Sequence, residues 1–450
     1  MLTRNHKFPL APGAKDFRYS TIYPHDLPPV MRRHIVTGAM GTIYGTLTTG
    51  MFLIAWGDRI GVTIVQWGIL GAISSFAISM QLVSAFGAAR LGYRRLIWFV
   101  LEFINRSLRA SALCLAFYFF HQGYEALAAS LMILVFCIAA FFSAASIPPW
   151  YSWLADIIPE KIHGKFMGRR DAWISLATLI VVLPAGYGLD AVADEYKLSV
   201  LEIIFAVGIL LGMVDLFLHR IIPEPAPQRE TQGRFLQQVL APLRDPEYRP
   251  WLVFTTCWSF AVFLGGALAT VFFVNDLGIK HNFLGGAVVL IVVPLVGTLL
   301  TARWSGILID RLGVKRMLIG SHFCWAILPM FWVVAVPKTA LLWLAISSFI
   351  GGSSVSAAVN SSNKFMTRVP PPSQRAMYIA VTACINNIAG GIATLFAGYF
   401  LQGLEGFHWS LGGKELIPFH ILFIVSFALR LASWVLLFRI KTPKFDTGKV

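Results

Sequence analysis

The sequence predicts an all-α integral membrane protein with twelve transmembrane helices in two pseudo-symmetric six-helix halves. Three observations lead to this prediction: the apolar composition, the recurrence of long apolar segments, and a loop motif that occurs twice. Of the 450 residues, 57% are hydrophobic and 13% are charged, and the mean hydropathy is +0.69. A soluble chain of this length cannot bury so much apolar surface, because about a quarter of the residues of soluble domains are charged.

Twelve apolar segments are each long enough to cross roughly 30 Å of hydrocarbon as a helix. We number them spans 1 to 12, and they lie at 35–56, 64–87, 96–119, 126–147, 172–190, 200–219, 250–275, 283–304, 317–336, 340–360, 376–401 and 418–438. The chain then divides into a tail 1–34, a first half 35–219, a polar linker 220–249, a second half 250–440 and a tail 441–450. The Pro-rich, polar composition of the linker marks the boundary between the halves.

The net charge of +15 would suggest nucleic acid as a partner of a soluble protein, but the placement of the charges excludes that interpretation. With a cytoplasmic N-terminus, 29 of the 37 Lys and Arg residues lie in the tails, the linker and the inner loops, and 5 lie in the outer loops. This asymmetry is the positive-inside pattern. It predicts a protein of the plasma membrane, or of a bacterial inner membrane, with both termini in the cytoplasm and membrane lipid as its surroundings.

A short basic loop between spans 8 and 9 occurs again, in a weaker form, between spans 2 and 3. The second-half copy has Gly306, Asp310, Arg311, Gly313, Lys315 and Arg316. The first-half copy lies 221 residues earlier and keeps Arg90, Gly92, Arg94 and Arg95, with Ala85 and Ala89 in place of the first glycine and the acid. Three shorter echoes recur at separations of 211, 212 and 217 residues. These repeats predict a duplicated chain.

The loop at 306–316 resembles the signature loop of the major facilitator superfamily of membrane transporters, and the resemblance extends over about residues 33–441. It implies two six-helix halves around a central cavity that opens alternately to each side of the membrane. It also implies a secondary active transporter, monomeric and without a cofactor. Such a protein moves a small solute, and a solute, proton or sodium gradient supplies the energy.

The segment between spans 4 and 5 is similar to the inner loop found at this point in many such transporters. The matching residues are Asp156, Pro159, Gly164, Gly168 and Arg170. His163 departs from the pattern, since an Arg is more usual there.

The signature loop has a physical role that depends on its acid. A carboxylate at a helix end can accept hydrogen bonds from the N-terminus of a neighbouring helix, while the basic residues beside it contact phosphate headgroups. In the superfamily that the loop resembles, this acid helps to hold the inner side closed. Asp310 matches that acid, and Ala89 cannot replace it.

Span 3 contains Glu102, Arg106 and Arg109, whose spacings of 4 and 3 place them on one helical face. An unpaired charge near the middle of a bilayer costs at least about 2.5–3.5 kcal/mol. Two interpretations follow: a structural Glu102–Arg106 pair, or a site for an anionic solute or a coupling proton. Asp215 and Arg430 are weaker candidates, since they lie near helix ends where snorkelling suffices.

The resemblance implies that spans 1, 4, 7 and 10 line the cavity. The candidate solute contacts on these spans are Tyr44, Thr48, Thr255, Trp258 and Asn360. The serines between 347 and 356 could line the cavity as well, or could serve close packing of helices.

Other classes of function find little support in the sequence. No nucleotide-binding loop, zinc-protease motif or hydrolase elbow is present, so the sequence predicts neither an enzyme nor a metal site. Two alternatives to this transporter of a small solute stay open. One is a receptor or scaffold that retains the fold without transport. The other is a multidrug-type proton antiporter, although Leu183 stands where the Gly of the antiporter element is expected.

Overall fold

The computed structural model describes residues 25–91, 93–225, 235–371, 375–411 and 414–440, and within these residues the fold is almost entirely helical. The α-helices, numbered α1 to α18 in chain order, are Leu27–Thr48, Gly50–Arg59, Ile64–Ala77, Met80–Leu91, Arg94–His121, Glu125–Ile157, Glu160–Ala191, Lys197–His219, Phe235–Arg244, Arg249–Gly266, Ala269–Asn275, Phe283–Ala287, Val293–Leu312, Val314–Ala326, Leu328–Val334, Ala340–Arg368, Arg375–Gly403 and Pro418–Leu436. A π-helical turn, Val288–Val292, joins α12 to α13, and 3₁₀ turns lie at Ile279–His281, Pro337–Thr339 and Leu437–Arg439. Strands β1 (Trp409–Leu411) and β2 (Lys414–Leu416) form an antiparallel hairpin in which Trp409 pairs with Leu416.

The all-α membrane fold is confirmed. Ten helical segments among the described residues are long and apolar enough to cross a membrane. The other two predicted spans are also helical: span 1 forms α1 and α2, and span 3 forms α5. Polar and charged side chains lower the mean hydropathy of these two. The count of twelve crossings therefore stays a prediction.

The first span of each half is interrupted near the predicted outer face. In the first half the break falls between α1 and α2, where Gly50 has a φ of 61°, a left-handed conformation that favours glycine. In the second half the break falls between α10 and α11, at Ala267 and Leu268. The two breaks lie about as far apart in the chain as the sequence repeats do, so the halves share this irregularity.

The predicted loop between spans 4 and 5 is largely helical. Helix α6 continues through Pro148 and Pro149 to Ile157, and α7 starts at Glu160. A proline inside a helix leaves the carbonyl four residues earlier without its usual donor. For Pro149 that carbonyl belongs to Ala145, and the Ser84 hydroxyl of α4 donates to it. A neighbouring helix thus restores the hydrogen bond that the proline removes.

Among the described residues, the apolar core is joined across the two halves at one face only. One cluster of buried residues includes Phe52 and Trp56 of the first half together with Phe272 and Phe283 of the second. Two separate clusters lie toward the opposite face. One belongs to the first half, around Trp153, and the other to the second half, around Trp251, Phe254 and Phe365. The joined face carries the predicted outer loops.

Candidate functional site

A buried ionic cluster centred on Arg106 connects the first, third and sixth spans. The Arg106 Nε lies 3.2 Å from a Glu102 oxygen on its own helix, and Nη2 lies 2.7 Å from Asp215 Oδ2 on α8. Nη1 donates to the Gly212 carbonyl, and the guanidinium lies 5.3 Å from the ring centre of Tyr44 on α1. Arg106 is 6% exposed and Asp215 is 1% exposed. Two carboxylates and a carbonyl thus surround one guanidinium.

Each carboxylate of this cluster has a further partner. The Ser146 hydroxyl of α6 and the Asn105 amide donate to Glu102. His219 Nδ1, one turn after Asp215, lies 2.9 Å from Asp215 Oδ1 and 3.0 Å from the Asp215 carbonyl oxygen. The hydrogen bonds to Glu102 and the histidine beside Asp215 support the buried charges, because both carboxylates lose their water.

Aromatic rings enclose the histidine end of the cluster. The ring of Trp98 lies 4.2 Å from that of His219, and His34 of α1 lies 6.1 Å from His219 and 6.0 Å from Trp153. His34 is buried, and neither of its ring nitrogens has a hydrogen-bond partner among the described residues. The cluster therefore runs from Glu102 to His34 through the interior of the first half.

The predicted Glu102–Arg106 pair is present, but Arg109 is not part of it. The Arg109 guanidinium lies 5.3 Å from the ring centre of Phe136 on α6, and its buried Nε has no hydrogen-bond partner in the described residues. The expectation that Asp215 and Arg430 snorkel to the membrane surface is wrong. Both are 1% exposed, because the helices around them cover their side chains on all sides.

The second half has its own buried arginine. Arg430 of α18 donates to the carbonyls of Trp325 on α14 and Val262 on α10, each at 3.2 Å. It therefore joins the seventh, ninth and twelfth spans, which correspond to the spans joined by Arg106. His322, also buried, packs 4.7 Å from the ring of Trp258 in this region. The two halves share the arrangement of the helices but not the side chains that hold them.

The candidate solute contacts fall into two groups. Tyr44, Thr48 and Trp258 are buried inside their own halves, and the Thr48 hydroxyl bonds to the Tyr44 carbonyl at 2.7 Å. Asn360 is exposed and donates to Ser305 Oγ at 3.1 Å, and Thr255 is half-buried. Contact of a solute with the first group requires rearrangement, whereas the second group keeps exposed surface.

One serine of span 10, Ser353, lies at the packing contact with span 8. A Cβ on Gly352 would lie 2.0 Å from the Pro294 carbonyl oxygen, so the two helices touch along their backbones. Ser353 donates across this contact to the Gly297 carbonyl at 3.2 Å.

The first-half signature loop and the segment between spans 4 and 5 contact each other. Arg94 forms an ion pair with Asp156 and donates to the Ser152 and Pro225 carbonyls, each at 3.0 Å. The backbone N–H of Arg95, at the start of α5, donates to Glu224 at 3.0 Å. The carboxylate of Glu224 thus caps this helix.

Arg170, also a residue of this segment, lies on α7, the helix that begins within the segment. Its guanidinium lies 5.0 Å from the ring centre of Trp150. Pro159 is the residue before α7, and Gly164 and Gly168 lie within that helix.

The second-half signature loop is shorter than predicted. Gly306 and Asp310 lie on α13, Gly313 alone separates α13 from α14, and its φ of 86° requires glycine. Lys315, near the start of α14, donates to the Phe438 carbonyl at 2.9 Å, while Arg316 is exposed. Gly92 and the side chains of Arg90 and Asp310 lie outside the described residues.

Polar contacts join the two halves at the predicted outer face. The Asp190 carboxylate at the end of α7 accepts the backbone N–H groups of Phe283 and Leu284, at 2.7 and 2.8 Å. Lys280 Nζ lies 2.9 Å from Asp58 Oδ2. Helices α3 and α17 touch at the same face, where a Cβ on Gly68 would lie 3.0 Å from the Gly398 Cα.

The sequence model of the Major Facilitator Superfamily matches residues 35–305 and 276–449, which together cover most of the chain. This chain is a member of that superfamily. No relative matches among curated proteins. The fold is that of solved superfamily structures. A crystal structure of the nucleoside transporter NupG superposes with a TM-score of 0.69 at 11% identity, over 92% of this chain and 100% of that one.

Two further superfamily structures are similar and represent inward states. The inward-open xylose transporter XylE from E. coli superposes with a TM-score of 0.63 at 14% identity, over 93% of this chain and 98% of that one. An inward-facing bacterial homologue of the iron transporter ferroportin superposes with a TM-score of 0.62 at 12% identity, over 93% of this chain and 100% of that one. At these identities the likeness concerns the fold alone.

The sequence alone did not identify several residues of these contacts. Asp215 was only a weaker candidate and His219 was not named, although their spacing of 4 in an apolar helix could have marked them as a pair facing the interior. Asp190 is the last residue of span 5, but nothing in the sequence identifies the helix start that it caps. His34 lies before the predicted start of span 1, so it was assigned to the tail, whereas α1 begins at Leu27.

Proposed function

We propose that the protein is a secondary active transporter that moves a small solute by alternating access, with an ion or solute gradient as its source of energy. The observation that carries this proposal is the apolar core, which is continuous between the halves at one face and divided into two separate clusters toward the other. Such an arrangement corresponds to one of the two end states of a rocking mechanism.

The contacts at the joined face are suited to reversible opening. Asp58 and Lys280 are 34% and 33% exposed, so their ion pair is worth at most about 1 kcal/mol. The Asp190 hydrogen bonds are exchanged for water when the face opens, and helices that touch through glycine can separate without unlocking large side chains. We infer that this face is the outer gate and that the structure represents an inward-facing state.

The proposed gate requires an orientation, which the charge asymmetry supplies. Both termini and the 220–249 linker face the cytoplasm in this proposal. Reporter tags placed after Arg229 and after Lys197 would then be labelled from opposite sides of the membrane. Labelling of both tags from one side would contradict the orientation and the twelve-span arrangement.

The solute route passes between the halves, with Thr255 and Asn360 as accessible contacts and the buried Arg106 cluster beside it. A binder of the folded protein can be found without knowing the substrate, because binding raises the unfolding free energy by about 2.7 kcal/mol at a hundredfold excess over Kd. Thermal unfolding of the detergent-solubilised protein should therefore be screened against sugars, organic acids, peptides, nucleosides, cationic drugs and metal ions.

A compound found in this screen then tests transport directly. In proteoliposomes, unlabelled compound inside should drive accumulation of labelled compound from outside, without ATP. Accumulation that requires ATP would contradict the proposal. A compound that stabilises the protein but is exchanged under no imposed proton, sodium or solute gradient would instead identify a receptor that retains the fold.

A further inference from the structure

Two grooves lie on the surface of the protein at the predicted cytoplasmic ends of the helices. The first, between α1 and α8, has a volume of about 280 Å³ and is lined mainly by Pro29, Arg32, Arg33, Val36, Leu218 and Ile221. The second, between α10 and α18, has a volume of about 380 Å³ and is lined by Pro246, Arg249, Pro250, Val253, Leu436 and Arg439. Both have an apolar floor with arginines beside it.

The two grooves are the same feature in the two halves. Each residue of the second groove lies 217 or 218 positions after a residue that lines the first. Four of the six pairs have identical residues, namely Pro29 and Pro246, Arg32 and Arg249, Val36 and Val253, and Leu218 and Leu436.

Identity between the halves is not uniform along the helices that carry the grooves. One turn before Leu218 on the same helix, the buried acid Asp215 has Ser433 at the equivalent position, and His219 has Leu437. These two interior positions have thus changed their chemistry between the halves, whereas the groove residue beside them has not.

The number of arginines is also the same in both grooves, although their positions differ. In the first groove both arginines, Arg32 and Arg33, lie on α1. In the second, Pro250 stands at the position of Arg33, and the second arginine is Arg439, which stands at the position of Ile221. Two guanidinium groups thus remain beside each apolar floor. No carboxylate is among the residues that line either groove in the described chain.

The position of the grooves at the membrane surface and their positive charge indicate which ligand they bind. The apolar floor includes Val36, Ile221 and Val253, which are 43%, 57% and 53% exposed and face the surroundings of the protein rather than its core. The four arginines are exposed at the ends of these helices, on the face that the charge asymmetry assigns to the cytoplasm. Anionic lipids supply the negative surface potential of that leaflet, and arginine binds phosphate through paired N–H groups.

We propose that the two grooves are paired binding sites for an anionic phospholipid, one in each half. In each site the two arginines bind the lipid phosphate, and the valine and leucine side chains contact the upper part of one acyl chain. Each site connects the first and last spans of its half, so a bound lipid would hold each half as a unit while the halves move against each other. The proposal does not depend on which solute is carried.

Native mass spectrometry of the detergent-solubilised protein tests the proposal with phosphatidylglycerol as the probe. We expect two phosphatidylglycerol molecules to be retained by the wild-type chain and one by either double variant, R32Q/R33Q or R249Q/R439Q. The quadruple variant should retain none. Each arginine near a lipid surface contributes enough to change binding roughly fivefold, so a double variant should bind its lipid about 30-fold more weakly.

The controls separate a specific site from general attraction. Arg244 is exposed on the same face, outside both grooves, so R244Q should retain two lipids. Phosphatidylcholine should not be retained, and inorganic phosphate should not displace phosphatidylglycerol, since it lacks the acyl contact. Equal retention of phosphatidylcholine, displacement by phosphate, or two lipids on the quadruple variant would overturn the proposal. The substituted arginines are exposed, so melting temperatures without lipid should match the wild type.

Discussion

The Asp190 carboxylate accepts the backbone N–H of Phe283 at 2.7 Å and so joins the end of α7 in the first half to the start of α12 in the second. The same carboxylate accepts the N–H of Leu284 at 2.8 Å. A carboxylate at a helix N-terminus is stabilised by the unpaired N–H groups and by the helix dipole. Gly186 makes this approach possible, because a Cβ there would lie 3.1 Å from the Phe283 carbonyl oxygen.

The first prediction concerns this contact. Asp190→Ala should favour opening of the outer face, because the closed state alone loses hydrogen bonds to a charged acceptor, worth about 1.5–3 kcal/mol. Opening is measured at Val65 of α3, whose backbone lies against Gly398 of the second half. The reporter substitution Val65→Cys is made in a variant in which the five native cysteines are replaced. Its labelling rate by an impermeant maleimide from outside should rise at least about tenfold.

Asp194→Ala is the matched control for this measurement. Asp194 lies four residues after Asp190 and pairs with Lys197 in its own half at 2.7 Å. Its removal should leave the labelling rate of Val65→Cys unchanged. Equal effects of the two substitutions would mean that the Asp190 cap does not hold the face closed.

The second prediction is that the Asp58–Lys280 pair contributes less to closure than Asp190. Both side chains are about one-third exposed, so solvent screens their attraction and the pair is worth about 0.2–1 kcal/mol. Asp58→Asn and Lys280→Gln should each raise labelling by less than about fivefold. The double variant should match either single one, because both remove the same interaction. Additive effects would show that the two residues act separately.

The third prediction concerns Asp310, the acid of the second-half signature loop, and its expected role in holding the inner side closed. If Asp310 stabilises the state in which the inner side is closed, Asp310→Asn should favour the inward-facing state and lower the labelling of Val65→Cys. Ala89→Asn should have little effect, because that loop already lacks the acid. Asp310→Asn should therefore lower the labelling rate of Val65→Cys, whereas Asp190→Ala should raise it. A rise in labelling, or equal effects at the two loops, would show that the loops act through their basic residues alone.

The helical fold, the two halves and the superfamily followed from the sequence because they depend on local and repetitive signals. Hydropathy identifies a span, and the repeated loop identifies a duplication. The segment between spans 4 and 5 was assigned as an inner loop from its resemblance to the loop of such transporters, and two consecutive prolines, Pro148 and Pro149, normally end a helix. The helix continues because Ser84, far away in the sequence, donates to the Ala145 carbonyl, and no local pattern encodes that contact.

The candidate site was predicted only in part, for a related reason. Glu102 and Arg106 are one turn apart, so their pairing is visible in the sequence. Asp215 reaches the same guanidinium from another helix, 109 positions away. The assumption that a charge near a helix end snorkels failed because α1 and α5 cover this part of α8. Burial is a property of the packing of helices, which the hydropathy of a single helix does not determine.

The last prediction concerns Asp215, the carboxylate that joins Glu102 in binding Arg106. Asp215 lies closer to the guanidinium than Glu102 does, at 2.7 against 3.2 Å, and is the more deeply buried of the two. Arg106→Gln should lower thermal stability most, because it leaves two carboxylates without their cation, and the loss of one buried partner costs about 3–5 kcal/mol. Asp215→Asn should cost more than Glu102→Gln.

Combined substitutions separate a structural role of the cluster from a role in transport. The double variant E102Q/R106Q should recover little stability, since Asp215 stays charged and unpaired, whereas the triple variant with Asp215→Asn should recover much of it. Thermal unfolding in detergent measures all of these effects. Full recovery in E102Q/R106Q would mean that Asp215 does not need the arginine. A stable Arg106→Gln protein that no longer binds a solute found by the thermal screen would place the arginine in the transport path instead, because a purely structural charge cannot be lost without a cost in stability.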